Sequence, residues 1–283
     1  MKETIGIIHP GEMGISVAAS AQAGGNIVMW ASQRRSPQTR ARASAHSLVD
    51  AVTIENLCRS CSIIICVCPP HAAGESANQV MACSFKGLYV DVNAISPQNT
   101  KQISEKMRDS GITFVDGGII GGPAWKPDST RLYLSGDEAK RVADCFTEGL
   151  LETEIISPEV GDASSLKMCY AALTKGTNAL LCAVMGAAES LGVREHLQRQ
   201  WERDELESTE HNIQRVRRVT AKAWRFSGEM EEIASTFESA GVPGGFHNAA
   251  AEIYTRMEGF KEHKQLPQLE DVLSAIITKK END

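Results

Sequence analysis

The residues best suited to chemistry in this chain begin at its fifth position. Ile5-Gly6-Ile7-Ile8-His9-Pro10-Gly11-Glu12-Met13-Gly14 joins a short apolar run to a helical stretch through a glycine-bearing turn. A strand–turn–helix of this kind points free backbone N–H groups and the positive end of a helix dipole at an anion, and its glycines let a diphosphate approach the backbone. Gly11 and Gly14 stand at the second and third glycines of G-x-G-x-x-G, with His9 at the first, so His9-Pro10 is expected to shape the turn in its own way. A second apolar run ends near residue 31, as a dinucleotide fold requires. The expected cofactor contacts here are His9, Pro10, Gly11, Glu12, Met13 and Gly14. After that second run comes Trp30-Ala31-Ser32-Gln33-Arg34-Arg35-Ser36, with no acid to accept hydrogen bonds from both ribose hydroxyls. Ser32 with Arg34 or Arg35 suits a 2′-phosphate, so NADP(H) is the expected cofactor and NAD(H) the alternative. The blander reading leaves both arginines on a solvated surface.

Eight cysteines offer a second kind of chemistry, with Cys58-x-x-Cys61 followed closely by Cys66 and Cys68. Zinc modules keep their paired cysteines on loops, with a second pair well downstream. Here Ser62 to Cys68 reads as one buried parallel strand in which thiols pack as small hydrophobes. No metal is expected, and the thiols are expected to be reduced and buried. His71 and His247 lie near plausible cleft segments, where a structural histidine is the commoner outcome.

The elements that must position these groups fall into two halves. Up to Ser157 short apolar strands alternate with helical stretches: strands at 5–8, 27–30, 62–68, 88–92, 112–115, 131–134 and 153–157, helices at 15–23, 37–47 and 72–83, and one opened by Ser96-Pro97. This alternation predicts an α/β fold, a Rossmann-type doubly wound parallel sheet over residues 1–158. From 159 to 283 the periodicity is helical throughout, beginning with a long Ala-rich helix over 160–191, so an all-helical substrate and dimerisation domain is expected. At 283 residues, with 42% apolar and 23% charged residues, two soluble domains are an ordinary expectation. The net charge of −7, with no basic block, argues against a nucleic-acid partner. The start lacks the pattern of a signal peptide and no apolar run reaches membrane length, so a cytoplasmic protein is expected.

Four segments resemble the β-hydroxyacid dehydrogenase and 6-phosphogluconate dehydrogenase superfamily. Gly6 to Gly14 is similar to its G-x-x-G-x-G-x-M-G start, and Asp91-Val92-Asn93-Ala94-Ile95-Ser96-Pro97 to its D-x-S-T-x-x-P. Val115-Asp116-Gly117-Gly118-Ile119-Ile120-Gly121-Gly122 resembles D-A-P-V-S-G-G, and Gly161-Asp162-Ala163-Ser164-Ser165-Leu166-Lys167 resembles G-x-G/A-x-x-x-K. Within the superfamily the chain looks most like a poorly characterised branch with a C-terminal domain of unknown function, through Leu166 to Ala172, Lys222 to Phe226, Glu229 to Ile233 and Gly245 to His247.

The resemblance implies a homodimer acting on a small molecule, with Lys167 as the catalytic general acid–base, deprotonated near neutral pH by burial beside the cofactor. It implies that Gly121 and Gly122 present backbone N–H groups to a substrate carboxylate. Val67, Cys68, Pro69, Asn93 and Ala94 would line the nicotinamide. The chain departs from the pattern where Ile120 replaces the serine of S-G-G, where Tyr170 and Ala171 replace the asparagine one turn after the lysine, and where Glu231-Glu232 replaces a K-D pair. Fewer polar groups imply a larger or less acidic substrate than a simple β-hydroxy acid, with Tyr170 supplying a replacement hydrogen bond or packing in a core. Trp125, Lys126 and Arg131 would touch the substrate or sit on a surface hairpin. The expected function is hydride transfer between NADP(H) and a hydroxy or keto compound; imine reduction and a non-catalytic NADP-binding regulatory protein are the alternatives.

Overall fold

The computed structural model describes residues 2–204, 208–261, 263 and 265–277. Its elements run β1 (Thr4–Ile8), α1 (Glu12–Ala23), β2 (Ile27–Trp30), α2 (Pro37–Ala45), β3 (Val49–Asp50), α3 (Ile54–Ser60), β4 (Ile63–Cys66), α4 (Ala73–Ala82), β5 (Leu88–Asp91), α5 (Pro97–Asp109), β6 (Thr113–Gly121), β7 (Thr130–Ser135), α6 (Ala139–Ala143) and β8 (Glu152–Ser157). The helices α7 (Asp162–Ser190), α8 (Arg194–Arg203), α9 (Thr209–Ser239), α10 (Gly245–Arg256) and α11 (Leu269–Ile276) follow. Two compact units emerge, Met1–Met168 and Cys169–Asp283. The division falls inside α7, whereas the change of sequence pattern at residue 158 precedes that helix.

The first unit is built on one eight-stranded sheet in the order β3-β2-β1-β4-β5-β6-β7-β8. Strands β3 through β6 run parallel, which reverses the winding beside β1, the place where doubly wound sheets bind ligands. The sheet departs from the expected all-parallel form at one seam: β7 pairs antiparallel to β6, from Asp116↔Ser135 to Gly121↔Thr130, and β8 then runs parallel to β7. β6 is longer than the 112–115 expected because Gly117-Gly118-Ile119-Ile120 continue in the hairpin with β7. The two-residue β3 and the helix α3 also lay outside the sequence reading. α3 begins where Thr53 Oγ1 accepts from Asn56 N at 3.1 Å.

Alternation along the strands builds a core on each face of the sheet. Ile63 and Ile65 of β4 pack with Val17, Ala18 and Ala21 of α1, while Ile64 and Cys66 face Leu57, Ala77, Val80 and Met107. Burial on both faces explains the unbroken Ile-Ile-Ile-Cys run. In the second unit the described residues form only helices. α10 lies along α9, with edge-on ring contacts of Phe226 with Tyr254 and of Phe237 with His247. Among the described residues no helix is long and apolar enough to cross a membrane.

Candidate functional site

The turn after β1 is made by a left-handed residue that is not glycine. His9 has φ 64°, a conformation that favours glycine, and its carbonyl accepts from Gly11 N at 2.7 Å. Gly14 is needed for close approach, since a Cβ there would lie 2.5 Å from the His9 carbonyl oxygen. Gly11 differs. Its backbone is extended (φ −72°), no side chain caps α1, and a Cβ would meet nothing nearer than that carbonyl at 4.0 Å. The protein leaves this helix start open, which is the room a diphosphate needs and a side chain would fill. Glu12 is exposed in the first turn, and Met13 packs partly against the core.

At the end of β2 the two arginines part company. Arg34, at φ 60°, is exposed, while Arg35 turns inward and its guanidinium donates to His9 Nδ1. Ser32 is buried, and its carbonyl accepts from Arg35 N at 3.2 Å. Because guanidinium has only donors, Nδ1 of His9 accepts and Nε2 carries the proton, which faces Ser76 Oγ of α4 at 3.3 Å. Burial, with Arg35 beside it, pushes His9 down to about 4, so the ring is neutral. Burial also lowers Arg35, and its Nε has no partner.

The same relay continues onto the ends of β4 and β5. Ser76 Oγ donates to Cys68 Sγ at 3.9 Å, and the sulfurs of Cys68 and Cys66 lie 3.7 Å apart. Asn93 clamps this segment from both sides, accepting from Cys68 N at 2.5 Å and donating to Cys66 Sγ at 3.5 Å. Asp91 Oδ1 accepts from Asn93 N at 2.9 Å, and burial raises the Asp91 carboxyl well above its usual range. Val67 donates from its backbone to the Ile8 carbonyl at 3.2 Å, closing β4 against the turn. Pro69 and Ala94 are half-buried beside these groups in the chain.

A second helix start is closed. The buried Asp116 of β6 accepts at Oδ2 from Gly161 N and Ser164 N, both at 3.0 Å, and from Ser135 Oγ at 3.1 Å. Its Oδ1 accepts from Ser164 Oγ at 2.6 Å, and Ser135 Oγ accepts in turn from Ala163 N at 3.1 Å. A buried carboxylate on free N–H groups at a helix N-terminus is well matched in charge and geometry. Desolvation raises Asp116 and these hydrogen bonds oppose it. Gly118 allows close approach, since a Cβ there would lie 2.7 Å from the Ala163 carbonyl and 3.0 Å from Lys167 Cβ. Lys167, half-buried, therefore projects from a helix start fixed directly on the sheet.

Of the expected site residues, the fold brings His9, Arg35, Cys68 and Asn93 into one network with the glycine turn. Arg34 is not in it. Gly121 (φ 122°) is held tightly, because a Cβ would lie 2.3 Å from the Ser129 carbonyl, whereas one on Gly122 would meet nothing within 4 Å. Ile120 is half-buried, and Tyr170 belongs to the second unit, where it is exposed. Trp125 stacks on His46 with ring centres 5.2 Å apart, and Arg131 pairs with Glu152 on the surface, so neither is free in the first unit. His71 is exposed and His247 is buried between Phe237 and Phe246. Sequence reasoning missed Ser76 and the roles of Asp116, Ser135 and Ser164. An acid inside the apolar run before Gly117-Gly118 was the one visible signal.

All eight cysteines are free; Cys169 is exposed and Cys68 and Cys83 are half-buried, a departure from uniformly buried thiols. Among the described residues no group of three or more His, Cys, Asp or Glu could hold a metal.

Comparison with known proteins places this geometry. Residues 4–147 match the NAD binding domain of 6-phosphogluconate dehydrogenase, and residues 188–257 match a domain of unknown function, DUF1932. An uncharacterized 28.5 kDa protein of Methanothermus fervidus is 32% identical over 143 residues, 50% of this chain and 54% of that one. The chain thus spans about half the length of that curated relative. Among solved structures, a conserved protein of unknown function, described as structurally similar to 3-hydroxyacid dehydrogenases, is 26% identical with a TM-score of 0.66, covering 97% of this chain and 100% of that one. Mycobacterium tuberculosis 3-hydroxyisobutyrate dehydrogenase is 17% identical with a TM-score of 0.69, over 98% and 100% of the two chains. A reductive aminase from Aspergillus terreus is 14% identical with a TM-score of 0.57, over 98% and 99%. The last two likenesses establish a shared fold. With a glycine turn open at the winding reversal and a match over residues 4–147, the chain belongs to the family of the NAD binding domain of 6-phosphogluconate dehydrogenase.

Proposed function

We propose that the chain is an NAD(P)-dependent oxidoreductase that interconverts a small hydroxy compound and its keto form, with NADP(H) preferred. The open α1 start at Gly11 carries this reading, because it leaves N–H groups and space where a diphosphate is held in such folds. Gly11 to Gly14 would hold the diphosphate. Ser32 and Arg35 would hold the 2′-phosphate, in keeping with the lack of an acid after β2. Val67, Cys68, Pro69, Asn93 and Ala94 would flank the nicotinamide, which when bound supplies or accepts a hydride. Lys167 would take the hydroxyl proton at Nζ during oxidation and return it during reduction. Asp116 would act as a positioning residue for it, by fixing the helix start from which it projects. Ile120, Gly121 and Gly122 would contact the substrate, Gly122 through its uncrowded backbone. A homodimer belongs to this reading, supported by the exposed Tyr170, Leu173 and Leu180 along one stripe of α7.

The test has two parts. Fluorescence titration with NADPH and NADH is expected to show tighter binding of NADPH, and equal affinities would remove the preference. A screen of hydroxy acids, ketones and cyclic imines, read by absorbance of the reduced nicotinamide, is expected to find turnover on the carbonyl side. Turnover of imines alone would favour imine reduction, and binding without turnover a regulatory role. Lys167→Ala is expected to bind cofactor normally and to lose turnover by about 10²–10⁴-fold; full activity in this variant would reject the proton role.

A further inference from the structure

We propose that Cys66 and Cys68 form a reversible redox pair, oxidised to a disulfide by hydroperoxide, at the end of β4. A directed chain of hydrogen bonds converges on these two sulfurs. Arg35 donates to His9 Nδ1, His9 Nε2 donates to Ser76 Oγ, Ser76 donates to Cys68 Sγ, and Asn93 Nδ2 donates to Cys66 Sγ. Each link fixes the direction of the next, so the sulfurs stand at the accepting end. Half-buried Arg35 adds positive charge that couples to both. Reactive cysteines are partly exposed, as Cys68 is and Cys66 is not, whereas inert ones sit in apolar cores; the buried Asp91 carboxyl opposes negative charge on Cys68. Cys61 is of the inert kind, pushed up to about 12 by burial. Cys66 moves the other way, to about 7, first because the Cys68 thiol donates to it and then through Asn93. Loss of the first of the pair's two protons is thereby eased, while the other is held far more tightly.

The chemistry balances with hydrogen peroxide as the oxidant. The Cys66 thiolate takes the Cys68 thiol proton while the half-buried Cys68 sulfur attacks one peroxide oxygen. An S–O bond forms, the O–O bond breaks, and hydroxide leaves to become water. Cys66, losing its proton, then attacks the Cys68 sulfenic sulfur. An S–S bond forms, the S–O bond breaks, and a second water leaves. Two thiols are oxidised by two electrons and one peroxide is reduced to two waters. The sulfurs are already 3.7 Å apart. Two residues of extended strand span roughly 6.6 Å, at the upper edge of the Cα separations a disulfide accepts. Closure must therefore bend the chain at Val67, and a strained bridge is readily reduced, as a switch requires. The same bend would pull Cys68 N from Asn93.

The experiment uses the full chain, treated with graded hydrogen peroxide, then unfolded in urea, alkylated with iodoacetamide and mapped by peptide mass. Expected is selective loss of alkylation at Cys66 and Cys68, a mass lower by two hydrogens, recovery with dithiothreitol, and a rate about tenfold above that of exposed Cys169 as internal reference. In Cys66→Ser, Cys68 is expected to stop at a sulfenic acid trapped by dimedone; in Cys68→Ser, Cys66 is expected to stay reduced. Oxidation of Cys169 while Cys66 and Cys68 remain alkylatable would overturn the proposal without requiring either variant to fold. Its effect on cofactor rests on the dinucleotide reading above. A disulfide that leaves NADPH affinity unchanged would sink the placing of Cys68 beside the nicotinamide and leave the redox pair standing.

Discussion

Two helix starts at the same end of the sheet's strands have received opposite treatment. α1 begins at Gly11 with no side-chain cap and with empty space where a side chain would stand. α7 begins at Gly161 with Asp116 seated on its N–H groups and Ser135 on the next one. Both starts carry a positive partial charge and donors without helical partners. Leaving one unfilled provides a place for an exogenous anion. Filling the other from within makes a rigid mount, and Lys167 stands on it. The same electrostatics thus serves binding in one place and positioning in the other, and the difference lies in whether the chain supplies its own carboxylate.

The sharpest way to break the comparison is to unplug α7. Asp116→Ala would leave the amides of Gly161 and Ser164 and the hydroxyls of Ser135 and Ser164 without their acceptor in a buried place. A loss of about 3 kcal/mol in urea unfolding is expected, together with a fall in turnover at unchanged cofactor affinity. Asp116→Asn, which keeps one acceptor oxygen, should recover part of both. If Asp116→Ala unfolded like the parent, the mount would be ornamental.

Filling α1 is the converse. Gly11→Val places a side chain in open space at a backbone angle that valine tolerates, so stability should change by no more than about 0.5 kcal/mol. Cofactor affinity should fall by tenfold or more, because the diphosphate must come to the backbone there. A variant that bound NADPH as well as the parent would show that this start is not the anion site.

The comparison was only half legible in the sequence. Gly11 and Gly14 could be read because glycine spacing after an apolar run has one dominant physical use, and most parallel strands could be read because burial on both faces leaves uninterrupted apolar runs such as Ile63–Cys66. Asp116 could not be assigned its role, because its partners lie at residues 135, 161 and 164 and meet it only through the antiparallel seam between β6 and β7. That seam was itself misread as parallel, since a strand's direction is set by its connection and not by its composition. The choice between Arg34 and Arg35 was equally hidden, for adjacent residues differ only in which way a turn points them.

That choice gives a smaller test of what guards the open start. Arg35→Ala should weaken NADPH binding by about tenfold, as loss of one charge-assisted contact would, while Arg34→Ala should change it by less than about twofold. Equal effects would mean that the inward turn of Arg35 toward His9 has no bearing on the anion.

The smallest effect sharpens the comparison through pH. His9, whose ring is neutral and accepts from Arg35, titrates at about 4 in the folded chain and near 6.5 when unfolded. Between these values the unfolded chain binds the extra proton, so stability rises with pH across that window. The contribution is fully present above 6.5 and is lost as pH falls through 4. With part of the ring open to solvent, it amounts to about 1 kcal/mol. Asn tolerates the left-handed backbone of this position, so His9→Asn keeps the turn and removes the titration. Urea unfolding of parent and variant from pH 4 to 7 should show the parent losing stability relative to the variant as pH falls from 6.5 toward 4, because burial and Arg35 penalise the charged ring. Parallel curves would mean that the ring is not held neutral at the open helix start. Nothing at Asp116 would change this result, because the closed start already holds its own charge and has no histidine to lose.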